Sequence, residues 1–283
     1  MGHRSGSVQA NFRRIFQGVS RRKTAKMSLV RCWAVQAKIF KKHSQKSLTS
    51  TKRIKMLCII TARGGSKRIP RKNIKDFLGK PIIAYAINAA LESKLFSEVM
   101  VSTDDDEIAA ASQKYGAKVP FMRSAKTSDD FATTDDVLRE VLGVYRAQGR
   151  EFESFACIYP TAVLLSAERL RGAYELFCKK NASLLVPVVK FGFPPQRAFV
   201  LKDGYLSYKE PLNALKRSQD LEALYHDAGA FYFYKTADFL ASKTEGRVAM
   251  ILSEIEVQDI DNIDDWRMAE LKYKVLNECS NKS

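Results

Sequence analysis

From residue 56 onward, short apolar runs alternate with longer segments in which apolar residues recur every three or four positions. The apolar runs lie at 56–61, 98–103, 155–159, 184–189, 231–234 and 248–252, and each predicts a strand. Helical spacing covers 81–93, 104–115, 133–148, 166–179 and 263–278. The alternation predicts an α/β fold, with a mostly parallel sheet and helices on both faces. Ligands of such sheets bind beyond the carboxyl ends of the strands.

The alternation is interrupted between residues 191 and 225. Phe193-Pro-Pro-Gln-Arg predicts a loop, and the following segment, 201–208, predicts a hairpin that turns at Asp203-Gly204. We therefore expect a small inserted arm at about 191–225, which could be a lid or a dimerisation arm.

The positive charge of the chain is concentrated near its N-terminus. The 283 residues include 47 Lys or Arg and 31 Asp or Glu, which gives a net charge of +16. Residues 1–55 hold 15 of the basic residues and none of the acidic ones, so 32 basic and 31 acidic residues remain after position 55. The folded part is therefore almost neutral, and its charge predicts no nucleic-acid partner.

Three interpretations of residues 1–55 compete. The Arg- and Ser-rich, acid-free composition is typical of a transit peptide, and also of a basic arm that binds nucleic acid or anionic lipid. The third interpretation is a disordered or non-native extension, with the real start at Met27 or Met56. We favour the third, because Met56 directly precedes the first predicted strand. The predicted folded domain is then 56–280.

The cysteine pattern and the hydropathy indicate the cellular setting. None of the five cysteines forms a C-x-x-C pair, and Cys58 and Cys157 lie in apolar, strand-like runs. Buried thiols in a reducing compartment are the expected result, not disulfides or a zinc site. No segment reaches the roughly 18 apolar residues that a membrane-spanning helix requires. We expect a cytoplasmic protein without a membrane partner.

The strongest chemical feature is a glycine-rich basic loop directly after the first strand, Thr61-Ala-Arg-Gly-Gly-Ser-Lys-Arg-Ile-Pro-Arg-Lys-Asn. Its two glycines allow close approach of a ligand, and exposed amides with cations are typical of a polyphosphate cradle. The cations are Arg63, Lys67, Arg68, Arg71 and Lys72. The loop has neither Walker A nor G-x-G-x-x-G spacing. A solvated basic loop is the alternative, and the position after a strand argues against it.

A second feature is the acidic segment Val257-Gln-Asp-Ile-Asp-Asn-Ile-Asp-Asp-Trp. Asp259 and Asp261 are two residues apart, so they face the same side of an extended chain. Two convergent carboxylates near a phosphate cradle predict a Mg²⁺ site. The alternative is a capping cluster for the last helix, a role that we assign to Asp264 and Asp265.

Three weaker features follow other strands. Ser102-Thr-Asp-Asp-Asp is a helix N-terminus that could also face a ligand, and Tyr159 and Thr161 could contact substrate. His226 is the sole histidine after residue 55, and a lone histidine is more often structural than catalytic. The shortage of histidine and the absence of a G-x-S-x-G elbow argue against a serine or cysteine hydrolase.

The motif Ala62-Arg-Gly-Gly-Ser-Lys-Arg-Ile-Pro-Arg-Lys-Asn resembles the nucleotide-binding signature of the acylneuraminate cytidylyltransferases. Val101-Ser-Thr-Asp-Asp-Asp-Glu-Ile-Ala and Asp259-Ile-Asp resemble later motifs of the same family, and the similarity runs from Met56 to Glu278. Within the family, Phe193-Pro-Pro-Gln-Arg-Ala and Asp227-Ala-Gly-Ala-Phe-Tyr resemble most the branch that acts on pseudaminic acid.

The resemblance implies a Rossmann-like, glycosyltransferase A-like nucleotidyltransferase domain that is a homodimer and uses Mg²⁺. The implied reaction joins CTP to an acidic nine-carbon sugar, a nonulosonic acid. The anomeric hydroxyl of the sugar attacks the α-phosphorus, and pyrophosphate leaves in line. The sequence leaves the general base open: a metal-bound hydroxide, an Asp and the substrate's own carboxylate are the alternatives.

The resemblance also implies roles for particular residues. The nucleotide-binding set is Arg63, Gly64, Gly65, Ser66, Lys67, Asn73, Arg123 and Thr134, and Lys67, Lys72 and Arg63 are the expected catalytic cations. The expected sugar contacts are Tyr159, Thr161, Gln196, Arg197 and His226, and Asp259 and Asp261 are the expected Mg²⁺ ligands. Family members that act on sialic acid commonly have Gln-Pro-Thr where this chain has Tyr159-Pro160-Thr161. That difference favours a differently substituted nonulosonate.

Two rival functions stay open on the sequence. Another sugar nucleotidyltransferase, acting on sialic, legionaminic or 3-deoxy-octulosonic acid or on a phosphosugar, would have a similar cradle and Asp pair. A nucleic-acid-binding protein that uses the basic N-terminal segment is the non-enzymatic alternative. A catalytically inactive family member is disfavoured, since both Asp259 and Asp261 are present.

Overall fold

The structure is a computed structural model that describes residues 56–129 and 131–280. The predictions for residues 1–55 lie outside the described residues, and the predicted domain bounds of 56–280 stay a prediction. In the described part, each predicted strand and helix begins and ends within about two residues of the sequence expectation, and a few short elements were not predicted.

A seven-stranded sheet forms the centre of the domain. Its strands are β1 (Met56–Thr61), β4 (Glu98–Ser102), β5 (Ser154–Ile158), β6 (Leu184–Lys190), β9 (Tyr225–Asp227), β10 (Phe231–Lys235) and β11 (Arg247–Leu252). The order is β11-β6-β10-β5-β1-β4, and β9 pairs with β6. β1 is parallel to β4 and β5, and β11 is parallel to β6, whereas β10 runs antiparallel to both of its neighbours. The expected mostly parallel sheet is therefore confirmed, with antiparallel strands that the sequence pattern did not predict.

Two short hairpins and a set of helices complete the described part. The hairpins are β2 (Asp76–Phe77) with β3 (Lys80–Pro81), and β7 (Phe199–Lys202) with β8 (Tyr205–Tyr208). The helices are α1 (Ile83–Ser93), α2 (Asp106–Lys114), α3 (Thr134–Ala147), α4 (Ala167–Lys179), α5 (Thr236–Leu240) and α6 (Ile263–Ser280). None of these helices is long and apolar enough to cross a membrane.

Side-chain caps explain where several helices begin. The Asp105 side chain accepts a hydrogen bond from the Ile108 amide at the start of α2. Thr133 and Asp136 form a reciprocal capping box at the start of α3. Such caps satisfy amides that have no partner within the helix. The caps therefore fix the residues at which α2 and α3 begin.

Alternate residues of β1 supply both faces of the sheet. Cys58 and Ile60 belong to the core that contains residues of α1 and α4, such as Ile87. Leu57 and Ile59, one position out of phase, belong to the core that contains residues of α3. Because both faces are covered, the strand is apolar throughout rather than alternating. The expectation of helices on both faces is confirmed.

A third core fixes the last helix against the first. The ring of Phe77 lies edge-on to Tyr85 and Trp266, at centroid distances of 5.3 and 5.4 Å. Ile260, fully buried in the same cluster, lies just before α6. Burial of Ile260 anchors the acidic segment that precedes α6. It thereby positions Asp259 and Asp261, which flank Ile260 in the sequence.

The inserted segment contains the predicted hairpin. Asp203 and Gly204, which join β7 to β8, have φ values of 52° and 83°. Left-handed φ values at both central residues are typical of a type I′ turn, which suits Asp-Gly. The hairpin expected from Asp203-Gly204 is confirmed.

A buried carboxylate ties β4 to α3. Glu98 accepts hydrogen bonds from Arg150 at 2.9 Å and Lys118 at 3.2 Å, and also from the hydroxyl of Tyr145. Burial opposes ionisation of Glu98, but these hydrogen bonds outweigh it and hold its pKa below the usual 4.5. The charged form of Glu98 therefore stabilises the fold.

Glu98→Gln is expected to lower the free energy of unfolding at pH 7 by about 2 to 3 kcal/mol, because it removes the charge of a buried acceptor that Arg150, Lys118 and Tyr145 share. The folded-state pKa is depressed, so this contribution is complete above pH 4.5 and is lost as the pH falls below it. Urea unfolding at pH 7 and pH 3.5 measures both effects. The exposed Glu92→Gln is the control, and equal stability of the two variants at pH 7 would contradict the account.

Candidate active site

A cavity of about 500 Å³ opens at the carboxyl ends of β1 and β5. Its walls come from the basic loop, the turn after β5, the start of α3 and the acidic segment before α6. The expected site residues that line it are Arg63, Ser66, Lys67, Lys72, Asn73, Arg123, Thr134, Tyr159, Thr161, Asp259 and Asp261. The fold therefore brings together side chains that are up to two hundred positions apart in the sequence.

Two hydrogen bonds to backbone groups of the basic loop hold it beside the strand ends. Buried Asn73 donates from Nδ2 to the carbonyl oxygen of Arg63 at 2.8 Å. The Gly64 amide donates to Oδ1 of Asp104 at 2.9 Å. A Cβ added to Gly64 would lie 2.7 Å from Oδ2 of Asp105, so this position requires glycine. The Gly64 amide, expected to face phosphate, is directed at Asp104 in this structure.

The five loop cations do not all face the cavity. Arg71 pairs with Asp105 and Glu107 at the N-terminus of α2, and these hydrogen bonds raise its pKa. Arg68 lines the cavity and pairs with Asp261 at 2.7 Å. Arg63 and Lys67 line the cavity with it. Arg71 is thus a structural residue that joins the loop to α2. The other four cations of the predicted cradle line the cavity.

Lys72 connects the basic loop to the acidic segment. Its Nζ donates to the carbonyl oxygen of Ile260 at 2.5 Å. Burial lowers the pKa of Lys72, although the charges of Asp261 and Asp259 oppose that shift. The ammonium group therefore holds the two parts of the cavity wall in register while it faces the cavity.

Asp259 and Asp261 both face the cavity, on either side of buried Ile260. Burial, and then the charge of Asp261, raise the pKa of Asp259. Two carboxylates that face one cavity suit a divalent cation, whose charge would favour the ionised form of Asp259. No group of three or more metal-binding side chains occurs among residues 56–129 and 131–280. Mg²⁺ fits this donor set, because it often takes one or two carboxylates together with substrate phosphates.

The capping interpretation of the acidic segment applies to neighbouring residues. Oδ1 of Asn262 accepts from the amides of Asp264 and Asp265, which identifies Asn262 as the N-cap of α6. Asp265 accepts in turn from the amides of Asp261 and Asn262. The cap role expected of Asp264 is wrong, since its carboxylate pairs with Arg267 on the helix surface. Capping thus does not require the Asp259 and Asp261 carboxylates.

The opposite wall carries Arg123 and two hydroxyl groups. Buried Arg123 donates to the side chain and the carbonyl oxygen of Ser102, at 3.0 and 2.6 Å, and burial lowers its pKa. The hydroxyls of Thr134 and Tyr159 lie 3.4 Å apart. The cavity as a whole therefore offers cations for a polyphosphate, carboxylates for a metal ion and hydroxyl groups for a second substrate.

Comparison with known proteins identifies the family of the chain. The family model described as cytidylyltransferase matches residues 57–277. The chain belongs to the cytidylyltransferase family. It is 44% identical over 232 residues to the pseudaminic acid cytidylyltransferase of Campylobacter jejuni, covering 80% of this chain and 100% of that protein. It is 32% identical over 234 residues to the CMP-N,N'-diacetyllegionaminic acid synthase of Legionella pneumophila, covering 80% and 98%. The resemblance noted in the sequence is confirmed.

A solved structure supports the fold. The chain superposes on CMP:2-keto-3-deoxy-manno-octonic acid synthetase complexed with CTP, with a TM-score of 0.58 and 17% identity, over 79% of this chain and 99% of that one. At 17% identity this match shows a shared fold and does not by itself assign an activity. The predicted Rossmann-like nucleotidyltransferase fold is therefore confirmed for this cytidylyltransferase.

Three of the expected sugar contacts of the cytidylyltransferase lie outside the main cavity. His226 lines an adjacent cleft that shares Asp259 and Asp261 with it. Its ring packs 4.9 Å from that of Phe191. Gln196 donates to the carbonyl oxygen of Glu222 at 2.9 Å within the inserted arm. Gln196 and the adjacent Arg197 line neither the cavity nor the cleft.

Sequence reasoning used Asp227 and Tyr232 only as the ends of a family-like segment and gave neither residue a role. Asp227 accepts a hydrogen bond from the hydroxyl of Tyr232 at 2.9 Å. The motif contains both residues, but the contact between them depends on the turn that joins β9 to β10. The spacing of five residues between an acid and a tyrosine does not reveal such a contact without the paths of β9 and β10.

Proposed function

We propose that this cytidylyltransferase transfers CMP from CTP to the anomeric hydroxyl of a nonulosonic acid, pseudaminic acid in particular, and releases pyrophosphate. The observation that carries the proposal is one cavity that holds the loop cations, the Asp259 and Asp261 pair, and the Tyr159 turn. The full-length match to the Campylobacter jejuni relative supports the choice of sugar.

The residues of the cavity divide the work of the reaction. Phosphoryl-type transfer depends on positioning and on charge neutralisation more than on covalent chemistry. Arg63 can hold phosphate oxygens through paired hydrogen bonds, and Lys67 and Lys72 add point charges. Asp259 and Asp261 would hold Mg²⁺, which supplies stabilisation of the charge on the phosphates. The side chains thus orient the α-phosphorus for in-line attack.

Tyr159 bears on the choice of sugar. A phenol in place of an amide changes both the shape of the pocket and its hydrogen-bonding groups. The side chain lines the cavity beside Thr161. We take this as support for a nonulosonic acid other than sialic acid.

The direct test is pyrophosphate release by the full chain with CTP, Mg²⁺ and, separately, pseudaminic, legionaminic and sialic acids. We expect release with pseudaminic acid. Release with sialic acid alone would contradict the choice of sugar that we base on Tyr159, but would still support CMP transfer from CTP. Silence with all three acids from folded protein would contradict the proposed function.

We also propose that the enzyme is a homodimer joined through the inserted arm. The arm exposes a group of large apolar side chains, of which Phe193, Leu212 and Leu215 are each more than 90% exposed. Clustered apolar exposure of this kind indicates a protein interface. Leu201 and Leu206 of the hairpin are also largely exposed, at 69% and 66%.

Deletion of residues 198–216 is therefore expected to give a monomer in sedimentation equilibrium. The double variant Leu212→Ser and Leu215→Ser tests the same surface without shortening the chain, and it should raise the dissociation constant of the dimer about 10-fold or more. A dimer that persists in the deletion variant would contradict the proposal.

A cytoplasmic location completes the proposal. Cys58 and Cys157 are buried free thiols, and burial raises the pKa of Cys157 to about 12. Buried, protonated thiols suit a reducing compartment.

A further inference from the structure

The turn between β9 and β10 carries a carboxylate with two partners. Oδ1 of Asp227 accepts from the Gly229 amide at 2.8 Å and from the hydroxyl of Tyr232 at 2.9 Å. Tyr232 is 8% exposed, so its hydroxyl needs a partner inside the protein. Asp227 supplies that partner from the rim of the adjacent cleft.

Tyr232 in turn lies against the cavity residue Tyr159. The two rings pack edge to face with centroids 5.6 Å apart. The hydroxyl of Tyr159 lies 3.4 Å from that of Thr134, the first residue of α3. Tyr159 is thus held between the ring of Tyr232 on one side and Thr134 on the other.

The carboxylate of Asp227 fixes the hydroxyl of Tyr232. An ionised carboxylate only accepts hydrogen bonds, so Tyr232 donates its single proton to Asp227. Burial raises the pKa of both phenols, which keeps them protonated at neutral pH. Because the Tyr232 ring is held by this hydrogen bond, it gives Tyr159 a fixed surface to pack against.

We propose that Asp227 is a positioning residue, which orients Tyr232 and, through the packing of the two rings, holds Tyr159 in place where the cavity receives the sugar. The inference rests on the proposed function. It assigns to Asp227 no contact with the reacting atoms. Its effect on the sugar passes through the two phenols.

Steady-state kinetics of substituted full-length enzyme test the proposal, with kcat and the KM values for pseudaminic acid and CTP measured separately. Asp227→Ala and Tyr232→Phe should each lower kcat/KM for the sugar about 10- to 100-fold, the cost of one hydrogen bond to a charged group. The KM for CTP should stay within about 2-fold, since the CTP-facing residues on the basic loop are untouched. Asp227→Asn keeps an acceptor oxygen and should restore most of the loss.

Two further variants separate positioning from a merely structural role. The double variant Asp227→Ala with Tyr232→Phe should be no worse than either single variant, because each substitution already removes the same hydrogen bond. Asp76→Ala is the matched control: Asp76 also accepts from a glycine amide, that of Gly79 at 3.1 Å, but does not line the cavity. This control should leave both KM values unchanged. Tyr232→Phe, which keeps the ring, carries the test if Asp227→Ala does not fold.

The outcomes distinguish the two proposals. Unchanged sugar kinetics in Asp227→Ala and Tyr232→Phe, or losses that add in the double variant, would overturn the role of Asp227 and leave the proposed function standing. Equal losses for CTP and sugar would also overturn it, as they indicate a general structural effect. Wild-type enzyme that uses none of the nonulosonic acids would overturn the proposed function, and the role of Asp227 with it.

Discussion

Asp261→Ala is expected to lower Mg²⁺-dependent turnover at least about 100- to 1000-fold while the fold stays intact. Loss of one group that stabilises transition-state charge has an effect of about this size. The side chain of Asp261 is 43% exposed and pairs with Arg68, so its removal takes little from the core. Pyrophosphate release and thermal unfolding, measured on the same preparation, check both parts of the prediction.

Asp264→Ala is the matched control for this experiment. Asp264 belongs to the same acidic segment, but its carboxylate pairs with Arg267 away from the cavity. Its replacement should leave turnover within about 2-fold, since an exposed pair contributes little. Near-normal Mg²⁺-dependent activity of Asp261→Ala would refute the metal assignment.

Lys72→Met is expected to lower kcat/KM at least about 100-fold, because it removes two effects together. The substitution deletes a cation that faces the cavity, and it breaks the hydrogen bond from Nζ to the Ile260 carbonyl. That hydrogen bond holds the Asp259 and Asp261 segment against the basic loop, and a misplaced catalytic group can cost about 100-fold. The free energy of unfolding should fall by about 1.5 to 3 kcal/mol, the cost of one hydrogen bond to a charged group, and the fold should stay intact.

Lys75→Met provides the comparison for Lys72. Lys75 lies three residues further along, but its ammonium group is 5.7 Å from the ring centroid of Trp266 and does not line the cavity. Loss of that exposed cation–π contact should cost about 1 kcal/mol of stability or less and no activity. Equal turnover by the two lysine variants would contradict the role given to Lys72.

Much of the fold follows from local patterns. The strand at Met56–Thr61 is apolar without interruption, and the helix at Thr134–Ala147 begins at a Thr133 cap. Such signals depend on neighbouring residues, which the sequence displays directly. The antiparallel direction of Phe231–Lys235 did not follow from it, because strand direction depends on the path of the connecting arm.

Part of the candidate site could also be predicted from the sequence. Residues of the basic loop, Asp259 and Asp261 share one cavity because the carboxyl ends of parallel strands meet at one edge. The partners of individual cations were not readable. Arg68 reaches Asp261 across 193 positions, and Arg71 reaches Asp105 across 34. No short-range pattern separates a cation that faces a ligand from one that pairs with a helix N-terminus.

The most direct test of CMP transfer uses the full chain with Mg²⁺, pseudaminic acid and, in separate reactions, CTP, UTP, GTP or ATP. Mass spectrometry of the products identifies the nucleotide that is joined to the sugar. We predict a CMP-sugar and an equal amount of pyrophosphate from CTP, and little product from the others. A sugar joined to a different nucleotide, or no nucleotide-sugar from folded enzyme, would contradict the account.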